Sequence, residues 1–427
     1  MNVFSFRPVS PPWRVLLASL IGTTIEFYDF FIYATAAVLV FPTLFFPQGD
    51  SHAGLFKSLA TFTVAYIARP MGSALFGHLG DRIGRKSTLV AALLTMGIST
   101  VLIGVLPSYE HIGVAAPAIL ALCRFSQGLG LGGEWGGAVL LATENAPTGQ
   151  QAWFGIFPQL GVPLGFMLSA GAFFVLSQQM DTESLLRWGW RLPFLASALL
   201  VGVGLWLRLK LAETRDFQRM VACCERLALP LRQVSSRHLG SLLTSTCVVV
   251  PSYILIYLMT VFVMDYAIRV LGYHRRDFLM MQMMGTVYFT LGIFVAAWFA
   301  NRFTARLAMA VANGLTLVFG LIGMSLLHPD HPLSLLSFLC SGFFIMGLTA
   351  GPCGTFLAYI YPANVRYTGA SLSFNLAGVL GAAPLPYVLG QWLVGKGAQG
   401  VGYYLAAVTA LSSLVWLVPT RNSRRAT

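Results

Sequence analysis

The sequence predicts an all-α membrane protein of twelve transmembrane helices in two halves of six, on three observations. Hydrophobic residues make up 56% of the 427 positions and charged residues only 10%, a balance that no soluble domain of this size would tolerate on its surface. Apolar runs of about twenty residues, the length needed to cross a hydrocarbon core of ~30 Å, recur along the chain. One long polar connector, from about Arg208 to His238, divides those runs six and six. The formal net charge of +12 would point a soluble protein toward nucleic acid. Here the basic residues sit in loops and tails beside apolar runs, where they set topology, so nucleic acid is not an expected partner and the lipid bilayer is.

The first run, about Val15 to Phe41, is too long for the core of a signal peptide and lacks a small-residue cleavage site before a polar chain, so it reads as a retained span. The second, about 55–77, contains Arg69-Pro70 and leads into a charged turn; the third, about 88–107, is uniformly apolar. The fourth, about 117–141, sets Arg124, Gln127 and Glu134 in a glycine-rich frame that lets helices approach closely. Spans at about 152–176 and 191–208 complete a first half, 1–207. Beyond the connector, 208–238, the runs at about 239–264, 278–300, 305–327, 335–359, 367–394 and 402–418 form a second half, 239–427. An even number of spans puts both termini on one side. Taking that side as cytoplasm gives about eighteen of the 27 Lys and Arg to the tails and inner loops, as the positive-inside rule requires. Trp13, Trp188, Trp190 and Trp298 fall near span ends, where an aromatic belt sits. The adjacent Cys223-Cys224 and four further cysteines show no C-x-x-C spacing, so neither a disulfide framework nor a zinc site is expected, and no nucleotide or cofactor motif occurs.

The turn Gly77-His78-Leu79-Gly80-Asp81-Arg82-Ile83-Gly84-Arg85-Lys86 is densely charged between two apolar runs. A weaker copy, Asn301-Arg302-Phe303-Thr304-Ala305-Arg306, follows the eighth span; Asn301 replaces Asp81, Thr304 replaces Gly84 and Ala305 replaces Arg85, so a charge latch is expected in the first half alone. Charges within the spans are few, because an ionised side chain at mid-bilayer costs roughly 2.5–3.5 kcal/mol or more unless paired or wet. Glu26 and Asp29 lie three apart on one face of the first span. At about 1.5 Å per residue they share a level with Arg124, while Arg69 and Glu134 fall nearer the charged turn with Asp81 and Arg85. Tyr28, Tyr33, Gln127, Tyr253, Tyr257, Gln159, Tyr288, Asn375 and Gln391 are further polar groups within spans with the chemistry to line a pocket.

Several segments together resemble the metabolite:proton symporter family of the major facilitator superfamily, and within it the shikimate and organic-acid carriers. Glu26-Phe27-Tyr28-Asp29-Phe30-Phe31-Ile32-Tyr33 is similar to that family's first-helix signature, Ala68-Arg69-Pro70-Met71-Gly72 to its second, and Arg124 through Glu134 to its fourth. Trp188 through Phe194, Leu211-Ala212-Glu213-Thr214 and Val365 through Ser371 add matches, and the G-x-L-x-D-R-x-G-R-K turn resembles the superfamily's signature loop. The resemblance implies the major facilitator fold, alternating access, and import of a small polar metabolite with protons across a bacterial inner membrane by a monomer. Family members take organic acids such as shikimate, citrate and 2-oxoglutarate, or the zwitterions proline and betaine.

On that basis Glu26, Asp29 and Arg124, with Tyr28, Tyr33 and Gln127, are the expected proton-coupling and substrate group, Asp29 foremost. Asp81, Arg82, Arg85, Lys86, Glu134 and Arg69 are the expected cytoplasmic gate. One departure is the run Ala358-Tyr359-Ile360-Tyr361-Pro362, which lacks the acid usual in the family before that proline. A uniporter, or a sensor or scaffold on the same fold, is the alternative reading.

Overall fold

Every long apolar run forms a helix, because a chain in hydrocarbon has no water to bond and must satisfy its own N–H and C=O groups. The computed structural model describes residues 12–47, 51–147, 149–210, 230–327 and 332–417, with residues 12, 51–53 and 389–396 described by backbone alone. The first half contains α1 (Pro12–Leu39), α2 (Ser51–Ile83), α3 (Arg85–Val105), α4 (Ala115–Glu144), α5 (Gln151–Gln179) and α6 (Arg191–Leu209). The second contains α7 (Leu239–Arg269), α8 (Arg275–Arg302), α9 (Ala305–Ile322), α10 (Pro332–Ile360), α11 (Arg366–Gly381) and α12 (Leu385–Ser413). A π-turn at Leu258–Phe262 interrupts α7. Gly397, at φ +63°, breaks α12, so the eleventh span runs on from α11 past Pro384 and the twelfth is Gly397–Trp416.

Nine of these segments among the described residues are long and apolar enough to cross a membrane by length and composition. The exceptions are α2, α4 and α11, and they carry the polar network. Arg69, Ser73 and Asp81 on α2, Arg124, Gln127 and Glu134 on α4, and Thr368, Ser371, Ser373 and Asn375 on α11 are all buried against other helices. On α2 and α4 the lower hydropathy comes with a buried polar face, while α11, at 16 residues, is short of a full span.

Within the first half α1 packs on α5, α2 on α4, and α3 on α4 and α6; in the second, α8 packs on α10, α9 on α10 and α12, and α7 on α11 and α12. The halves meet where α2 packs on α11 and α5 on α8 and α10. The approach of α2 to α4 depends on small residues, since a Cβ at Gly132 would fall on the backbone of Arg69.

Trp13, Trp188 and Trp298 are about half exposed, as belt residues require. Trp190 is not a belt residue: it is fully buried, with its ring packed edge-on to Phe41, Phe45 and Phe194. Trp188 lies within the π-turn Leu185–Gly189 and Trp190 directly after it, before α6, the first outward and the second inward. Tyr288 lies on the outer face of α8, 44% exposed, and does not line the interior. Residues 211–229, with Leu211 to Thr214 and Cys223-Cys224, the tail with Arg421, Arg424 and Arg425, and the Gln391 side chain lie outside the described residues.

The weaker charged turn is closed by different chemistry. Thr304 caps α9, its Oγ1 accepting from the Leu307 N–H at 3.1 Å, and the Arg306 guanidinium lies over the Trp416 ring at 5.5 Å. A cap has replaced the charge cluster.

Candidate functional site

Proline follows Arg69 directly in α2, near the middle of the helix, and the arginine turns into a cavity between the halves. That cavity is lined by Phe27 and Phe30 of α1, Tyr66 and Arg69 of α2, Gln159 and Val162 of α5, Ser252, Tyr253 and Ile256 of α7, Phe289 of α8, Thr349, Ala350 and Cys353 of α10, and Phe374 of α11. Arg69 is its one charged residue among the described residues. The Arg69 guanidinium lies 4.8 Å from the ring centre of Phe30 and 5.0 Å from that of Tyr66, and its Nη1 donates to the Tyr253 hydroxyl at 3.3 Å. Tyr253 belongs to the other half, so this contact crosses the interface. The cavity volume of about 30 Å³ is room for roughly two waters, and a metabolite enters only when helices separate.

A second polar system lies inside the first half. Asp29 accepts from Ser197 Oγ of α6 at 2.5 Å and from Thr100 Oγ1 of α3 at 2.9 Å. Thr100 Oγ1 in turn accepts from Gln127 Nε2 at 2.7 Å, and Gln127 Oε1 accepts from Arg124 Nη1 at 3.0 Å. Asp29 and Arg124 are therefore joined through two intermediates rather than paired directly. The Arg124 guanidinium is sandwiched by rings, 4.0 Å from the centre of Tyr33, 4.7 Å from Phe62 and 5.0 Å from Phe30. These cation–π contacts replace part of the solvation the charge has lost. Tyr33 bonds Thr61 across to α2 at 2.5 Å, and Tyr28 donates to the Pro193 carbonyl at 2.8 Å, tying α1 to α6.

Glu134 forms a fully buried ion pair with Arg208, at the last turn of α6. Arg208 reaches it through space left by a missing side chain, since a Cβ on Gly22 would fall on the guanidinium. Its Nη1 also donates to the Leu89 carbonyl at 2.6 Å. Glu26, one turn beyond Gly22 on the same face of α1, is fully buried within electrostatic reach of Glu134, Arg69 and Arg208.

At the charged turn the halves are joined by a carboxylate at a helix start. Asp81 Oδ2 accepts from Thr368 Oγ1 at 2.7 Å and from the Thr368 N–H at 3.3 Å, in the first turn of α11, where the helix dipole favours a negative charge. Arg85 stands 3.5 Å from Asp81 and donates to the Gly80 carbonyl at 3.0 Å. Glu144, at the end of α4, lies 3.9 Å from Arg85 and 3.7 Å from Arg366 of α11. Tyr367 donates to the Gly133 carbonyl at 2.5 Å. On the opposite side of the cavity Thr63 donates to the Ala383 carbonyl at 3.1 Å, so the halves touch both above and below it.

Residues 15–228 match the model of the sugar (and other) transporter family. The chain is 47% identical, over 98% of its length and 96% of the relative's, to the inner membrane metabolite transport protein YhjE of Escherichia coli strain K12. It belongs to the sugar and other transporter family. This transporter is also 33% identical to the shikimate transporter of the same bacterium, over 97% of this chain and 95% of that one. Its fold superposes on the proton:xylose symporter XylE with a TM-score of 0.74 at 17% identity, over 95% of each chain. It is a metabolite transporter of the major facilitator fold.

Set on that fold, the sequence-predicted residues regroup. Asp81 and Arg85 do come together, but Glu134 is not their partner: the acid beside Arg85 is Glu144, while Glu134 belongs to Arg208 in the core of the first half. Arg69 lines the central cavity instead of the charged turn. Arg82 and Lys86 lie at the surface, Arg82 near His78 and Lys86 donating to the Leu209 carbonyl at 2.6 Å. Asn375 joins α11 to Ser73 of α2 at 2.7 Å. The charged residues of these networks that were not among the sequence candidates are Glu144, Arg208 and Arg366, and the hydroxyls of Thr100, Ser197 and Thr368 were missed as well. Glu144 and Arg208 sit at helix ends, beyond the apolar runs, where a charge reads as solvated.

Proposed function

We propose that this transporter imports a small polar metabolite together with protons by alternating access, with the first and second halves, 1–207 and 239–427, moving about the cavity. The observation that carries the reading is Asp29, a wholly buried carboxyl on α1 joined to the Arg124 guanidinium through Thr100 and Gln127. A carboxyl at that depth is stable when neutral or electrostatically compensated. A hydrogen-bonded path to a permanently charged guanidinium lets its proton respond to what the arginine touches. The charged turn faces the cytoplasm of a bacterium in this reading, with both termini on that side and one chain per transporting unit.

Uptake of candidate labelled solutes into vesicles tests it. Accumulation above the external concentration is expected with an inward proton gradient and none without. Equal uptake in both conditions would make the protein a uniporter, and no uptake of any solute would favour a sensor.

In the same reading Asp81 holds the cytoplasmic gate shut. Asp81→Asn keeps the shape of the contact and removes its charge, and hydrogen bonds to charged groups contribute about 1.5–3 kcal/mol. The closed form should lose roughly tenfold or more in population. Cys353 lines the cavity and serves as reporter in a chain whose other cysteines are serine. Its labelling from the cytoplasmic side by an impermeant thiol reagent should speed up by about that factor, and an unchanged rate removes Asp81 from the gate.

A further inference from the structure

Three consecutive residues at the start of α11 dock on the first half. Arg366 faces Glu144 at 3.7 Å, Tyr367 donates to the Gly133 carbonyl at 2.5 Å, and Thr368 gives both its hydroxyl and its N–H to Asp81. Docked, this helix start has Asp81 as acceptor for one of its free N–H groups. It has no side-chain cap of its own, since Val365 stands at the capping position. A helix end without acceptors frays. When the halves part, the run 366–368 therefore needs another support if it is to return in the same geometry.

Tyr361, the residue after α10, is 2% exposed and reaches α11 in three ways. Its hydroxyl lies 2.7 Å from Ser373 Oγ of α11 and 3.2 Å from Ser245 Oγ of α7, and Ser245 in turn donates to Ser373 at 2.7 Å. Its ring fills the space beside Gly369, where a Cβ would fall on it. Its carbonyl accepts from Arg366 Nε at 3.3 Å. These contacts bracket Tyr367 and Thr368 from both sides along the helix. Every partner belongs to the second half, so the knot does not cross the interface and stays intact as the halves separate.

We propose that Tyr361 is a positioning residue of the cytoplasmic gate. Its neutral knot with Ser245 and Ser373 keeps the first turn of α11 formed while the gate is open, so that Arg366, Tyr367 and Thr368 meet the first half together as it closes. This rests on the reading of Asp81 as the gate. The physical gain is preorganisation, because the ordering of that turn is settled before docking. Without the hydroxyl, closing has to order the turn as well, and the closed form loses population.

Tyr361→Phe removes the hydroxyl and keeps the ring beside Gly369. In the chain whose other cysteines are serine, labelling of Cys353 from the cytoplasmic side should speed up roughly threefold to tenfold, the range of one neutral hydrogen bond. Labelling from the outer side should be no faster. Ser373→Ala breaks the knot from its other end and should act alike, and the double variant should do little more than either single, because both remove one contact. Backbone hydrogen exchange across 366–369 should rise in parallel. Faster labelling from both sides would mean that Tyr361 only supports packing at large. That result, an unchanged cytoplasmic rate, or effects that multiply in the double variant overturns the inference. If Tyr361→Phe does not fold, Ser373→Ala decides by the same sidedness and exchange. Asp81→Asn in the same assay keeps the two readings apart: acceleration there with none in Tyr361→Phe sinks the positioning role and leaves the gate, whereas no change in either sinks both.

Discussion

Replacing Arg208 with leucine should destabilise this transporter by about 3–5 kcal/mol, because it strands a buried carboxylate. Glu134 would keep its burial and lose its ion-pair partner, with Glu26 close enough to add a like charge. The Leu89 carbonyl would lose its donor as well. Glu134→Leu alone should be comparably harmful, since it leaves the guanidinium beside Gly22 without a counter-charge. The double variant should recover most of the loss, because removing both charges of a buried pair is often close to neutral. Thermal and denaturant melts of the four proteins in detergent make a double-mutant cycle. A double variant as unstable as the sum of the singles would show that lost volume, not stranded charge, is the source.

That pair also marks where sequence reasoning stops. The helices were legible because a span must be apolar and about twenty residues long, and the charged turn was legible because so few charges interrupt those runs. Depth was partly legible, since residues rise at ~1.5 Å each. Direction around the helix was not. Glu134 and Glu144 are ten residues apart on α4, about 15 Å along the axis and roughly 80° apart around it at 3.6 residues per turn, so only Glu144 reaches Arg85 and Arg366. Arg69 shows the same gap, being near the charged turn by sequence yet rotated into the cavity. Arg208 reads as the first residue of a solvated connector, and its burial depends on Gly22, nearly two hundred positions away. Trp190 repeats the lesson, as a span-end position does not decide between lipid and core.

Asp29→Asn should abolish uphill accumulation while leaving exchange of substrate intact. The amide has the carboxyl's shape, and both neighbours are hydroxyls, Ser197 Oγ and Thr100 Oγ1, which donate or accept as needed. The local structure is therefore kept and only the ability to gain and lose a proton is removed. In vesicles held at zero membrane potential, each coupled proton turns one pH unit into about 1.4 kcal/mol, a tenfold accumulation. The variant should fall from about tenfold to onefold under that gradient, if one proton moves per cycle. Counterflow needs no net proton movement, and its rate should remain measurable because the cavity around Arg69 is untouched. The path from Arg124 through Gln127 to Thr100 makes a further distinction available. Gln127→Leu leaves the carboxyl in place but cuts its link to the guanidinium, so it should alter the pH dependence of uptake without removing accumulation. If Asp29→Asn still accumulates substrate tenfold with the native pH dependence, the coupling proton rides elsewhere. Glu26, with one oxygen lacking a partner among the described residues and three charges in reach, becomes the carboxyl to replace in the same vesicles.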